Sequence, residues 1–508
     1  LMDAWTYPYI VAFASFTLYI VGNVVKSRYS RVSLAVRYCS PLVMTLYSIM
    51  LVSQPESFIK GLFALLASIV ALFITPYTIH YERHKYPGRN LTILIDLFAL
   101  SVYLVFISEN LMSFVMFWLF AEIIGFFAIV FEVERRTLVA GLRYLLVSMV
   151  PADIALLTIL GIAAIRLGFA GALQLPLNEL SHHLLGVSPV LHLIVAVGLL
   201  AKAAVAPLHF WLPDAHSLAP APASAILSGV MVKMGVYGFY LTASSIESMY
   251  VYYALLIFAS LTVVYGGLQA LIQADIKRIL AYSTIENTSL ITIALVSYSA
   301  FKIDLLLTAA LTYSIAHAVF KASLFMNSGT VEIMTHTRDI SKLGYVARIA
   351  SKPTLTALLS ILSLIGTPPT LGFLGKILLL AGLASIYQVS VTAAVLLLMI
   401  AALGAALAVA YGLRYVTVYW GSTSPNKPKE LKLNVGTETP ELSLSILNIA
   451  LTLPIYVSTA IIGLTSLDML YIAPLGLATV MMAALIYYTY TYFKRSAREE
   501  SWLGGALP

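Results

Sequence analysis

The sequence predicts an all-α polytopic membrane protein of about 14–15 transmembrane helices, with two inverted five-helix repeats that each contain a Pro-broken helix. Three observations predict it. The first is composition: of 508 residues, 60% are hydrophobic and only 10% are charged, with a mean hydropathy of +0.92. Soluble domains carry about 25% charge. The second is a series of long apolar runs whose connecting loops alternate between basic and nearly uncharged. The third is a pair of runs, far apart in the chain, that each combine a buried lysine with helix-breaking prolines.

A span needs roughly 20 apolar residues. Such runs lie at 8–24, 33–53, 58–78, 92–108, 110–132, 138–165, 189–211, 220–244, 249–273, 279–299, 303–328, 354–385, 390–420, 441–463 and 468–493. Lys and Arg accumulate in cytoplasmic loops. The loops after odd-numbered runs carry them: Lys26, Arg28 and Arg31; Arg83, Lys85 and Arg89; Arg135 and Arg136; Lys277 and Arg278; Arg338, Lys342, Arg348 and Lys352; Lys427, Lys429 and Lys432; and the tail Lys494, Arg495 and Arg498. The loops after even-numbered runs hold only Arg166 and Lys302, with Lys60 at a helix edge. The alternation places the N-terminus outside and the C-terminus in the cytoplasm of a prokaryotic-type cell membrane. It also checks the count, because a missed span would invert the pattern from that point on.

Several function classes are excluded. No basic run with interleaved aromatics suggests nucleic-acid binding, and the net charge of +7 is spread over the loops. The single cysteine, Cys39, permits neither a disulfide framework nor a cysteine-ligated iron–sulfur cluster within this chain. No GxGxxG opens a helix and no GxxxxGK[ST] loop is present. The opening "LMDAWTYPYI" has no basic n-region, so no cleaved signal peptide is expected. No catalytic redox, cofactor-binding or metal-ligating residue is expected here. The longest loops, 167–188, 329–353 and 421–440, leave no soluble domain, so any chemistry lies within the membrane.

Subtracting the loop charges leaves Arg37, Asp96, Glu122, Arg143, Asp153, Lys202, Lys233, Glu286, His317, Lys321, Lys376 and Arg414. A charge at the bilayer centre costs roughly 2.5–3.5 kcal/mol on insertion scales, so such groups face the bundle interior and pair or meet water. Arg37, Asp96, Arg143 and Arg414 lie near run ends, where snorkelling to the interface is the simple reading. Asp153 follows Pro151 and belongs with a kink. Glu122, in "FWLFAEIIGFF", is central in its run, as are Lys202 and Lys233 in theirs. Static buried ion pairs are one reading of these. The functional one is a proton relay: burial opposes an amine's charge, a nearby carboxylate supports it, and an amine between those pulls exchanges protons near neutral pH.

The prolines sharpen the functional reading. In "AKAAVAPLHFWLPDAH", Pro207 follows Lys202 by five residues; in "IGTPPTLGFLGKILLL", Pro368 and Pro369 precede Lys376. A broken helix at membrane depth is tolerated where it is buried in protein or lines a cavity. The two runs are the seventh and the twelfth. An odd offset of five gives them opposite orientations in the membrane, the pattern of an inverted repeat. This divides the chain into 1–90, a first repeat 91–245, a second repeat 246–420, and C-terminal helices 421–508. His317 and Lys321, four residues apart in "HAVFKASLF", share a helix face and could bridge the repeats.

The stretch "KAAVAPLHFWLPDAHSLAPAPASAILSGVMVKMGVYG" resembles the signature of the proton-conducting, antiporter-like subunits of respiratory complex I, group 4 membrane-bound hydrogenases, related sulfur-reducing complexes and Mrp-type sodium/proton antiporters. "DIKRILAYSTIENTSLI" and "HAVFKASLF" resemble further segments in the same order, and the likeness covers roughly residues 90 to 420. It implies that Glu122 pairs with Lys202, that Lys233 carries protons towards the centre, that His317 and Lys321 are central members, and that Lys376 is the carrier of the twelfth span. It also implies about fourteen core helices, which makes the fifteenth run an addition. The "IEN" at Glu286 is more similar to hydrogenase-linked members than to typical complex I ones, and leaves Glu286, like Asp153, a candidate member of the relay. The partners implied are other membrane subunits, with iron–sulfur clusters, a nickel–iron site or quinone confined to the redox-module subunits. The cargo is protons or sodium. Two mechanisms stay open, a redox-driven pump and a gradient-driven antiporter. A scaffold with inert ion pairs leaves the two Pro-broken, lysine-bearing runs unexplained.

Overall fold

A computed structural model describes residues 7–25, 30–421 and 436–461, with a few scattered residues between 477 and 488. Among them the chain is helical, without strands. Helices α1 (Tyr7–Val25), α2 (Ser30–Val52) and α3 (Phe58–Lys85) come first. Then follow α4 (Leu91–Phe106), α5 (Leu111–Ile129), α6 (Arg135–Tyr144), α7 (Val150–Gln174), α8 (Pro189–Lys202), α9 (Leu212–Leu218), α10 (Ala221–Ile226) and α11 (Val232–Ala243). The next stretch holds α12 (Met249–Ile272), α13 (Ile276–Phe301), α14 (Asp304–Thr335), the short α15 (Val346–Ile349), α16 (Ser351–Ile365), α17 (Leu371–Ser385) and α18 (Val391–Val416). Helices α19 (Glu438–Ala450) and α20 (Thr452–Ile461) close the described chain.

Twelve of the described helical stretches are long and apolar enough to cross a membrane, and Leu91–Phe106, Pro189–Lys202 and Ser351–Ile365 are shorter apolar helices. The runs predicted from 8–24 to 441–463 each fall on a helix or on the two halves of a broken one. The run 468–493 lies outside the described residues apart from scattered positions. Large apolar side chains such as Phe13, Leu157, Ile257 and Met399 are exposed along these helices, as a lipid-facing surface requires. The inverse holds for α13, whose central stretch is wholly buried although it carries Ser283, Thr284, Glu286, Asn287, Thr288 and Ser289. Polar groups in an apolar bundle are driven inward, so α13 becomes the polar seam of the chain.

Three expectations are corrected. The sixth run does not stop at 165: the apolar "FAGALQ" carries α7 to Gln174, with Gly168 at φ 74 breaking its line. Arg37 and Asp96 do not snorkel. They are fully buried and form a two-point pair, Nε to Oδ2 at 2.6 Å and Nη2 to Oδ1 at 2.8 Å, that ties α2 to α4. Two fixed parallel bonds let the guanidinium stay charged in an apolar setting. Lys277 is no loop cation: α13 begins at Ile276, and the buried Lys277 ammonium donates to the Ala219 carbonyl at 2.6 Å.

Both Pro-rich segments break their helices. The first chain break runs from Ala203 to Trp211 between α8 and α9; the second joins α16 to α17 at Gly366–Thr370. Freed backbone groups find internal partners, as they must at membrane depth. Trp211 Nε1 donates to the Ala201 carbonyl at 3.0 Å, and the Ala206 amide donates to Thr262 Oγ1 at 2.9 Å. Close backbone packing fixes the halves. A side chain at Gly372 would run into the Ser363 carbonyl, and one at Gly235 would sit 2.5 Å from the Leu199 carbonyl. Gly235 thereby lets α11 press against the end of α8 that carries Lys202.

Candidate functional site

Glu122 projects from the middle of α5, a helix apolar on every side, towards the C-terminal end of α8. There Lys202 Nζ lies 2.6 Å from Glu122 Oε1, and both side chains are 0% exposed. Trp118 Nε1 donates to the same oxygen at 3.0 Å. The Lys202 ammonium also lies 4.7 Å from the centre of the Tyr144 ring and 6.0 Å from that of Trp211, two faces that attract a cation. As the last residue of α8, Lys202 sits at the negative end of that helix. Asp153 on α7 faces the pair within electrostatic reach of both. Glu122 Oε2 and Asp153 Oδ1 are buried without a hydrogen-bond partner.

Lys233 stands two residues after a π-helical turn at Leu227–Met231. A π turn releases a backbone carbonyl, and Lys233 Nζ donates to the Ser228 carbonyl at 3.1 Å. The same Nζ meets His317 Nδ1 on α14, a direct contact between the segments 91–245 and 246–420. The remaining ring nitrogen, His317 Nε2, has no partner. One turn further along α14, Lys321 reaches α13, where its Nζ meets the Leu280 carbonyl at 3.0 Å and the Ser283 hydroxyl.

Glu286 Oε2 accepts from Tyr411 at 2.8 Å and from Asn287 Nδ2 at 2.5 Å, while Oε1 has no partner. Lys376, on α17, donates to the carbonyls of Leu364 at 2.8 Å and Ile365 at 3.1 Å. Those carbonyls end α16 and are free because the chain breaks at Gly366. Glu286 stands within electrostatic reach of Lys376 and Lys321 without a direct pair among the described residues. The arrangement thus brings Glu122, Asp153 and Lys202 into one cluster, Lys233 and His317 into a second, and leaves Lys321, Glu286 and Lys376 as successive buried groups. Pro207, Pro368 and Pro369 lie in the two breaks and touch none of these charged side chains by hydrogen bond.

Sequence reasoning missed several neighbours. His216 on α9 is fully buried between Trp211 and Phe325, with neither ring nitrogen bonded. It lies within electrostatic reach of Lys233, Lys277 and Lys321. Its place in the quoted signature was the available signal. Tyr144 and Tyr411 are polar tips in apolar runs and were also open to notice. The π turn at Leu145–Met149, before Pro151, follows from that proline's missing N–H. The one before Lys233 has no such cause in the sequence. Among the described residues no group of three or more His, Cys, Asp or Glu side chains could hold a metal ion.

Residues 108–404, more than half of the chain, match the family described as NADH:quinone oxidoreductase/Mrp antiporter, transmembrane. The chain belongs to that family. An uncharacterised protein of Mycobacterium tuberculosis is 34% identical over 337 residues, which is 64% of this chain and 51% of the relative. Hydrogenase-4 component B of Escherichia coli is 28% identical over 337 residues, 63% of this chain and 49% of the relative. NADH-quinone oxidoreductase subunit M of Rickettsia prowazekii is 36% identical over 239 residues, 46% of each chain. The chain spans about half the length of the curated relatives it matches. Two solved structures share the fold. One is a chain of the Mrp complex of Dietzia sp. DQ12-45-1b, at TM-score 0.74 and 17% identity, covering 97% of this chain and 100% of that one. The other is a chain of the membrane-bound sulfane sulfur reductase, an archaeal respiratory membrane complex, also at TM-score 0.74 and 17% identity, covering 96% and 99%. This member of the antiporter family is accordingly a multi-pass, antiporter-like membrane subunit of the complex I, hydrogenase or Mrp type.

Proposed function

We propose that this chain is the proton-translocating, antiporter-like subunit of a redox-driven respiratory membrane complex. Its carriers are Glu122, Lys202, Lys233, His317, Lys321 and Lys376, with Asp153 and Glu286 as further members. The observation that carries this reading is the buried Glu122–Lys202 pair, together with the buried Lys233–His317 contact. With the pair closed, the carboxylate's field holds a proton on Lys202. Opening the pair withdraws that field, and the proton moves towards Lys233 and His317, then to Lys321, Glu286 and Lys376. Segments 91–245 and 246–420 act as inverted repeats, flanked by 1–90 and 421–508, in a cell membrane with the N-terminus outside.

Moving one charge against 100 mV costs about 2.3 kcal/mol. In this reading the driving reaction belongs to partner subunits that hold iron–sulfur clusters, a nickel–iron site or quinone. A second reading is a sodium/proton antiporter subunit driven by gradients alone. The unpartnered oxygens of Glu122 and Asp153 favour it, because two carboxylate oxygens at one site suit a hard cation. Purification of the native complex in mild detergent, with its subunits identified by mass spectrometry, separates the two. Redox subunits with metal-binding cysteine motifs support the pump; small hydrophobic subunits alone support the antiporter. In either case Lys202→Ala should abolish ion movement while the complex still assembles. Full ion movement by that variant would overturn the relay.

A further inference from the structure

Helix α19 brings into the bundle a carboxyl group that the relay does not use. Glu441 is 0% exposed in the first turn of α19 and lies outside the residues that match the family. Its Oε1 accepts from Asn327 Nδ2 at 3.2 Å and its Oε2 from Thr330 Oγ1 at 2.6 Å, both on α14. Both donors are neutral, and among the described residues no cation pairs with it. A glutamine would tie α19 to α14 equally well, so the acid is more than the packing needs.

Its surroundings connect in two directions. Inward, Asn327 Oδ1 accepts from the hydroxyls of Tyr415, at 3.2 Å, and Tyr419. Tyr415 follows Tyr411 by four residues, so the two share one face of α18, and Tyr419 lies in the turn just after that helix. All three are buried, and Tyr411 ends on Glu286. Outward, Thr330 Oγ1 also meets Thr437 Oγ1 at 3.0 Å, just before α19. The adjoining Gly436 backbone lies against the partly exposed imidazole of His80 at the end of α3. That end of the bundle carries the basic loops. The Thr330 hydroxyl suits both forms of Glu441: it donates to the carboxylate, or it accepts from the acid and donates to the Met326 carbonyl at 3.3 Å.

We propose that Glu441 is a further proton-carrying residue, which takes up protons at the basic-loop end of the bundle and delivers them to Glu286 by way of the tyrosines gathered at Asn327 and Tyr411. The proposal rests on the relay reading above. The Asn327 amide carries no proton; it holds the carboxyl and the tyrosine hydroxyls around one point, and transfer between them requires one bridging water. Each hydroxyl gains one proton and releases another, and the carboxyl returns to its starting form.

The test uses the native complex in sealed vesicles, with E441Q, E441D and Lys202→Ala measured side by side. E441Q should assemble but pump about a hundredfold or more slowly, the scale of a lost proton-transfer group. E441D should recover most of the rate, and infrared difference spectra should lose a carboxylic-acid band in E441Q. Wild-type pumping by E441Q with a silent Lys202→Ala overturns the Glu441 inference alone. Wild-type pumping by both overturns the relay itself. If E441Q fails to assemble, Tyr415→Phe decides: slowed pumping supports the path, and an unchanged rate overturns it.

Discussion

Replacing Glu122 by glutamine removes one charge from the buried pair and almost nothing else. The side chain keeps its volume, and its amide oxygen can still accept from Trp118 Nε1. At 2.6 Å the Coulomb attraction to Lys202 is about 6 kcal/mol with an effective dielectric of about 20. Part of that offsets desolvation of the two ions. Breaking a buried pair by removing one partner costs about 3–5 kcal/mol net. At about 1.4 kcal/mol per decade, the lower figure alone corresponds to roughly a hundredfold change in how firmly Lys202 holds its proton. Glu122→Gln should therefore assemble with reduced thermal stability and lose coupled pumping by about that factor. The assay is acidification of inverted vesicles driven by the complex's own reaction, with that reaction followed separately. Glu122→Gln combined with Lys202→Met should regain stability, since a neutral pair needs no compensation, but not pumping. Wild-type pumping in the single variant, or restored pumping in the double, would refute the reasoning.

Other outcomes follow from the same geometry. Asp96→Ala strands the Arg37 guanidinium between α2 and α4 and should cost about 3–5 kcal/mol; thermal unfolding should fall while pumping per assembled subunit is kept, and lost pumping at full assembly would place this pair in the relay. Gly372→Ala forces α17 off the Ser363 carbonyl and should cost about 1–3 kcal/mol as an overpacked contact. Its yield after detergent extraction should drop, whereas wild-type yield would mean the halves of the broken helix are not held as closely. A cysteine introduced by Arg495→Cys should react with an impermeant reagent only from the cytoplasmic side; labelling from outside would invert the proposed orientation.

The span pattern was legible because apolar length and loop charge are properties of composition. Runs 8–24 to 441–463 needed no packing information. Helix detail within them did: the extension of α7 past 165 and the π turn before Lys233 depend on neighbours, not on local residue type. For the site, the candidate residues stood out as charges in apolar runs, since insertion cost makes each one conspicuous. Their partners did not. Trp118, Ser228 and the Leu364 and Ile365 carbonyls are ordinary in sequence and gain meaning only from where α5, the π turn and the α16 end are held. Arg37 and Asp96 show the converse: position near a run end suggested snorkelling, and only the meeting of α2 and α4 turns them into a sealed pair.

Proposed ion transfer runs along one series of buried groups joining segments 91–245 and 246–420, and Lys233 meets His317 across the two segments. The most direct measurement is coupled pumping by the native complex carrying Lys233→Met in sealed vesicles. The complex should assemble, and its driving reaction should continue or slow while ion transfer through this subunit stops. Undiminished transfer, at a wild-type ratio of ions to turnovers, would contradict it.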